Sequence, residues 1–101
     1  MAKRPQTDKP FGEALAEVLA ERGMSQRALA EAVGIEQSHI SRLARGVDSR
    51  KRPSADLAHR IASVLGLPDD FFRETRESFV LERLRRDARF LNRVYEQSRR
   101  R

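Results

Sequence analysis

The chain has 101 residues, 39% of them hydrophobic and 36% charged, with a net charge of +6 and no cysteine. That length suits one domain with tails, and the absence of thiols excludes a disulfide framework, thiol redox chemistry and cysteine-ligated zinc. No apolar run follows the opening Met1-Ala2-Lys3-Arg4-Pro5-Gln6 or approaches the ~20 residues that span a bilayer, so a soluble, cytoplasmic protein without a membrane partner is expected.

Residues 1–10 are polar, are interrupted by Pro5 and Pro10, and read as a flexible basic arm. From Phe11 the apolar positions Phe11, Ala14, Leu15, Val18 and Leu19 form the stripe of an amphipathic helix, with Glu13, Glu17 and Glu21 opposite. Gly23 stands where a helix-ending glycine belongs, and Ser25 suits the cap of a short second helix with Leu29, Ala30, Ala32 and Val33. Gly34 and Ile35 interrupt the pattern before a third helix over roughly 36–45, which buries Ile40 and Leu43 and ends at Gly46. A basic loop from Val47 to Pro53 follows. Ser54 then caps a fourth helix on the stripe Leu57, Ala58, Ile61, Ala62 and Leu65, closed by Gly66 and Pro68. Asp69 or Asp70 can start a short fifth helix anchored by Phe71 and Phe72. Arg73 to Gln97 lacks Gly and Pro and predicts one long helix. No segment alternates with period 2, so the fold class expected is all-α.

The charge is unevenly spread. Residues 73–101 carry ten arginines against five acids, and 37–60 carry six basic residues against Asp48 and Asp56. Residues 11–36 carry five glutamates against two arginines. One side of the core is therefore basic, which suits a polyanionic partner.

That side coincides with the most informative stretch, Ser25 to Gly46. A tight turn between two short helices needs a small residue at the close approach, here Ala30, and a residue that tolerates positive φ, here Gly34. With Leu29, Val33, Ile35, Ile40 and Leu43 inward, Gln37, Ser38, Ser41, Arg42 and Arg45 remain outward on the third helix. Their side chains suit base edges and phosphates.

The combination of Ser25-Gln26, Leu29-Ala30, Gly34-Ile35, Gln37-Ser38, Ile40-Ser41 and Gly46, followed by Pro53, Leu57, Ile61-Ala62 and Leu65-Gly66, resembles the lambda-repressor-like family of Cro, phage repressors and XRE regulators. The resemblance covers roughly 11–72. It implies a five-helix DNA-binding domain with a helix-turn-helix, to which this chain adds an extra long C-terminal helix. It also implies roles. Gln26 bonds a phosphate and orients the third helix. Gln37, Ser38, Ser41 and Arg42 read bases, with Gln37 suited to adenine and Arg42 to guanine. Arg45, Arg50, Lys51 and Arg52 hold the flanking phosphates. The chain departs from the family at Ala44, where Glu is usual, and at Glu36, where Ser or Thr often caps the recognition helix. Glu36 can repel a phosphate or accept from cytosine, and its role stays open.

The final segment, 73–101, carries Phe79, Val80, Leu84, Ala88, Leu91, Val94 and Tyr95. Val80, Leu84, Leu91 and Val94 fall on one near-heptad stripe interrupted by Asp87. Dimerisation through this stripe would set two recognition helices about 34 Å apart. The alternative is a helix folded back over its own domain. Dimerisation is favoured because a five-helix domain already closes by Phe72. Arm residues Lys3, Arg4 and Lys9 could lie along a groove, with a disordered solubilising arm the alternative. His39 could touch a phosphate or stand by exposed, and His59 lies off its helix's apolar stripe.

No catalytic or metal-ligand spacing is present, so a non-enzyme without cofactor or metal is expected. The expected function is a sequence-specific, homodimeric regulator of double-stranded DNA, repressing because no activation surface is visible. The rival is a protein-interaction module, or an antitoxin-type protein, that binds a partner protein through the C-terminal helix.

Overall fold

The computed structural model describes residues 6–46 and 52–100. Six helices and no strand occur among them: α1 (Phe11–Arg22), α2 (Gln26–Val33), α3 (Gln37–Arg45), α4 (Ala55–Val64), α5 (Arg73–Arg86) and α6 (Ala88–Arg99). The all-α expectation holds. α1 and α2 pack on α3, α4 packs on α2 and α5, and α6 packs on α5. The stripes read from the sequence meet in one core, in which Leu15, Val18, Leu29, Ile40, Ile61, Leu65 and Phe72 are almost fully enclosed. Burying a side chain such as Phe72 contributes about 1.5–3 kcal/mol. Its ring packs against Phe11 at 4.6 Å and edge-on against Phe71 at 5.1 Å, tying the lead-in of α5 to the start of α1.

Three expectations need correction. No short helix starts at Asp69 or Asp70; those residues form a turn, and Phe71 and Phe72 anchor the chain before α5 begins. The fifth helix is α5, which starts only at Arg73 and whose Glu74 is buried. The long C-terminal helix is two helices. Asp87 leaves helical geometry (φ −124°, ψ 97°) and its carboxylate accepts from the backbone N–H of Phe90 at 3.1 Å. The aspartate that breaks the stripe is thus the N-cap of a new helix, satisfying a donor that a helix start leaves orphaned.

The arm also departs from expectation where it is described. The Arg76 guanidinium donates to the carbonyls of Asp70 and Phe71 at 2.9 Å, and to the Thr7 carbonyl and the Asp8 carboxylate at 2.8 Å. The Thr7 N–H donates to the Phe71 carbonyl at 3.0 Å. Residues 6–10 are therefore tied to the start of α5. Lys3 and Arg4 lie outside the described residues.

Candidate nucleic-acid interface

The helix-turn-helix is built as its residue types demand. The Ser25 hydroxyl caps α2 by accepting from the Ala28 N–H at 3.0 Å. Gly34 ends α2 in the left-handed region (φ 87°, ψ 32°), a conformation that costs glycine little. Its N–H and that of Ile35 both return to the Ala30 carbonyl, at 2.8 and 3.1 Å. Only Gly34, Ile35 and Glu36 separate the two helices. The turn is also locked from outside: Arg60 on α4 donates to the Val33 carbonyl at 2.8 Å, filling an acceptor left over at the end of α2. Nothing in the spacing of Arg60 announces that role.

α3 buries Ile40 and Leu43 and presents the rest. Gln37, Ser38, Arg42 and Arg45 are exposed, and Ser41 is half-buried. At a rise of about 1.5 Å per residue, this polar face spans two turns, a length that matches a few base pairs of major groove. Gln26, half-buried, begins α2. Glu36 occupies the N-cap position of α3, but its side chain makes no capping hydrogen bond there and stays exposed. Ala44, in place of the family's Glu, is half-buried against the core. His39 is half-buried; His59 is exposed, with Asp69 at 3.4 Å.

α3 is held at its C-terminal end by close backbone contact with α1. A Cβ added to Gly12 would stand 2.3 Å from the Leu43 carbonyl oxygen and 3.0 Å from that of Ala44. Sequence reasoning passed over Gly12, which sits inside a helix and carries no turn signal. Beside this crossing lies a cleft of about 210 Å³ bordered by Arg42, Gly46, Arg52, Arg73 and Glu74. The cleft unites the end of α3, the loop before α4 and the start of α5. Arg52 and Arg42 border the same cleft, and the Arg52 guanidinium is paired with Glu77 on α5 at 3.2 Å. Arg50 and Lys51 lie outside the described residues. Glu74 is buried in the first turn of α5, where the helix dipole favours an acid, although its Oε1 has no hydrogen-bond partner.

The four dimerisation candidates are divided between two helices. Val80 and Leu84 lie on α5, Leu91 and Val94 on α6, so the break at Asp87 replaces one continuous stripe with a bent apolar surface. Val80 and Leu91 are exposed and Leu84 and Val94 half-buried, while Phe79 (69% exposed), Leu81 and Tyr95 (56%) add further apolar area. Among the described residues, no helix is long and apolar enough to cross a membrane, and no group of three or more His, Asp or Glu side chains gathers as a metal site.

Two short helices joined by a three-residue turn, the second offering a polar outer face, define a helix-turn-helix protein. A family model described as helix-turn-helix matches residues 15–72, more than half of the chain. The chain belongs to this XRE, or lambda-repressor-like, helix-turn-helix family, a family of DNA-binding regulators. No curated protein and no solved structure gives a significant match.

Proposed function

We propose that the protein is a sequence-specific reader of double-stranded DNA that represses transcription as a homodimer in the cytoplasm, on the nucleoid. The observation that carries this reading is the outer face of α3, where Gln37, Ser38 and Arg42 stand exposed on a helix anchored from behind by Ile40 and Leu43. In this role Gln37, Ser38, Ser41 and Arg42 contact base edges. Arg42 is the best placed for the bidentate pairing with guanine that contributes about 1–3 kcal/mol of discrimination. Gln26, Arg45, Arg50, Lys51 and Arg52 hold phosphates, adding affinity but no sequence choice. The reading needs neither cofactor nor catalysis.

The exposed apolar side chains that α5 and α6 carry, Phe79, Val80, Leu81, Leu91 and Tyr95, support the homodimer, because a partner copy would cover them. Site selection from a random duplex library, with wild type and Arg42→Ala compared at fixed salt, tests the DNA reading. The expected result is a two-fold-symmetric site whose preference relaxes at one position per half-site in the variant. Absence of any enriched sequence refutes sequence-specific reading. A single unpaired half-site together with monomeric sedimentation refutes the homodimer and assigns the apolar surface to a partner protein, as an antitoxin would use it.

A further inference from the structure

Arg52 borders the same cleft as Arg42 and Gly46, at the end of the recognition helix, where a phosphate contact is expected. Yet both of its terminal nitrogens face one carboxylate: Nη2 lies 3.2 Å from Glu77 Oε1 and Nη1 donates to Oε2 at 3.4 Å. Arg73 Nε donates to the same Oε2 at 3.2 Å. A single acid on α5 is therefore shared by two cations beside the outer face of α3 and offsets one of their two charges. A carboxylate and a phosphodiester offer an arginine fork much the same pair of acceptor oxygens. The group around Glu77 is partly solvated: the side chains of Arg52 and Arg73 are 52% and 56% exposed and that of Glu77 34%. Pairs this open contribute little to stability and exchange partners readily.

Building on the DNA-reading proposal above, we propose that Glu77 is a built-in competitor for the DNA backbone. It holds Arg52 and Arg73 in the free protein, and phosphates displace it on binding, which extends the DNA footprint to Arg73. The trade has two consequences. The two arginines give up a shared carboxylate to gain phosphates, so part of the phosphate attraction is spent on displacing Glu77 and the net gain in affinity is reduced. The displaced carboxylate is left beside the phosphates and takes up a cation, which offsets one of the counterions that DNA releases. The salt dependence of binding is therefore shallower than the count of basic residues implies. Glu77 tunes how tightly the regulator holds any DNA without changing which sequence it prefers.

The test compares full-length wild type with Glu77→Gln, which keeps the side chain's shape and removes its charge. Affinities for the duplex selected by wild type, and for a scrambled duplex of equal length, are measured across a salt series. Glu77→Gln is expected to bind both about 3- to 10-fold tighter at low salt, with the slope of log K against log salt steeper by about one. The preference between the two duplexes stays the same. In an Arg52→Ala/Arg73→Ala background the same substitution is expected to bring no gain. Unchanged or weaker binding by Glu77→Gln overturns the proposal. So does a gain that persists without the two arginines, since the charge then acts only through the overall field. A wild type that binds no duplex overturns the DNA reading as well, whereas a wild type that binds beside an unresponsive variant overturns this inference alone.

Discussion

Replacing Gly12 by alanine sets two effects of opposite sign against each other. Alanine favours a helix over glycine by up to about 1 kcal/mol, and by less at the second residue of α1 than in mid-helix. Against that, the new methyl would lie 2.3 Å from the Leu43 carbonyl oxygen, where a relaxed C···O contact needs about 3.3 Å. The obstacle is backbone at the last turn of α3 and has no rotamer to escape into, so α3 must retreat from α1 by about 1 Å. A gap of that size forfeits a quarter to a half of the dispersion contacts along the seam, where Phe11, Leu15, Ile40 and Leu43 are buried. Overpacking of this kind costs typically 1–3 kcal/mol. The steric cost wins: a net loss of about 1–2 kcal/mol is expected, lowering Tm by roughly 5–10 °C in a domain of this size. Urea and thermal unfolding followed by circular dichroism measure it. Ala16→Gly, at an exposed position of the same helix, isolates the propensity term at about 1 kcal/mol. A Gly12→Ala protein as stable as wild type, or more so, would refute the close crossing and with it this account of how α3 is held.

Arg76→Ala removes four hydrogen bonds from a side chain that is only 23% exposed. A loss of roughly 2–3 kcal/mol and faster hydrogen exchange at the Thr7 N–H are expected, and unaltered exchange would show that the arm is held otherwise. Asp87→Ala deletes the cap of α6 at a cost of about 1 kcal/mol and lets α5 continue into α6. Spin labels at positions 78 and 98 should then move apart toward the ~30 Å of a straight 20-residue helix; an unchanged distance would place the bend elsewhere. The Lys9 ammonium donates to Glu17, and this hydrogen bond raises its pKa above the ordinary 10.5. A raised pKa in the folded state means the contact's contribution is complete below the unfolded value and is lost as pH rises through the folded one. Side-chain NMR titration should show Lys9 returning toward its ordinary value in Glu17→Gln, and identical curves would remove Glu17 as the cause.

The parts of the fold that rest on short-range chemistry were legible from residues alone. Ser25 and Ser54 cap, Gly34 turns, and Ile40 and Leu43 bury because those side chains suit few other local tasks. Asp87 carried the same signal as the two serines, but no breaker precedes it as Gly23 precedes Ser25 and Pro53 precedes Ser54, so the Gly-free, Pro-free run outweighed it. The residues missed act across the fold. Arg60 locks the turn across 27 residues of chain, Arg76 reaches the Thr7 carbonyl across 69, and Glu77 pairs with Arg52 across 25. An arginine's reach and its five donors let it serve many sites, so its spacing reveals none of them. Ten arginines in the last 29 residues read as bulk charge, yet Arg73, Arg76 and Arg83 each have a defined partner.

α6 shows why the two proposed activities depend on each other. It has twelve residues, none of them buried, and an isolated helix of that length is marginal in water. The Asp87 cap, the Arg83 guanidinium 4.4 Å above the Phe90 ring and the Ser98 hydroxyl on the Val94 carbonyl each add only tenths of a kcal/mol to about one. Covering Leu91 and Tyr95 together with Phe79 and Val80 is what would make the helix firm. In the proposed dimer, however, each copy brings a segment with ten arginines and five acids to the seam, so repulsion opposes the apolar gain. Salt screens that repulsion and strengthens the dimer, whereas it weakens binding to phosphates. DNA relieves the same repulsion by adding its own negative charge along the two subunits. Each event then favours the other by the same free energy, since coupling between binding steps is reciprocal. If the homodimer forms through this surface, its two copies are expected to pair more tightly on an operator than free in solution, and sedimentation with and without the selected duplex measures the difference.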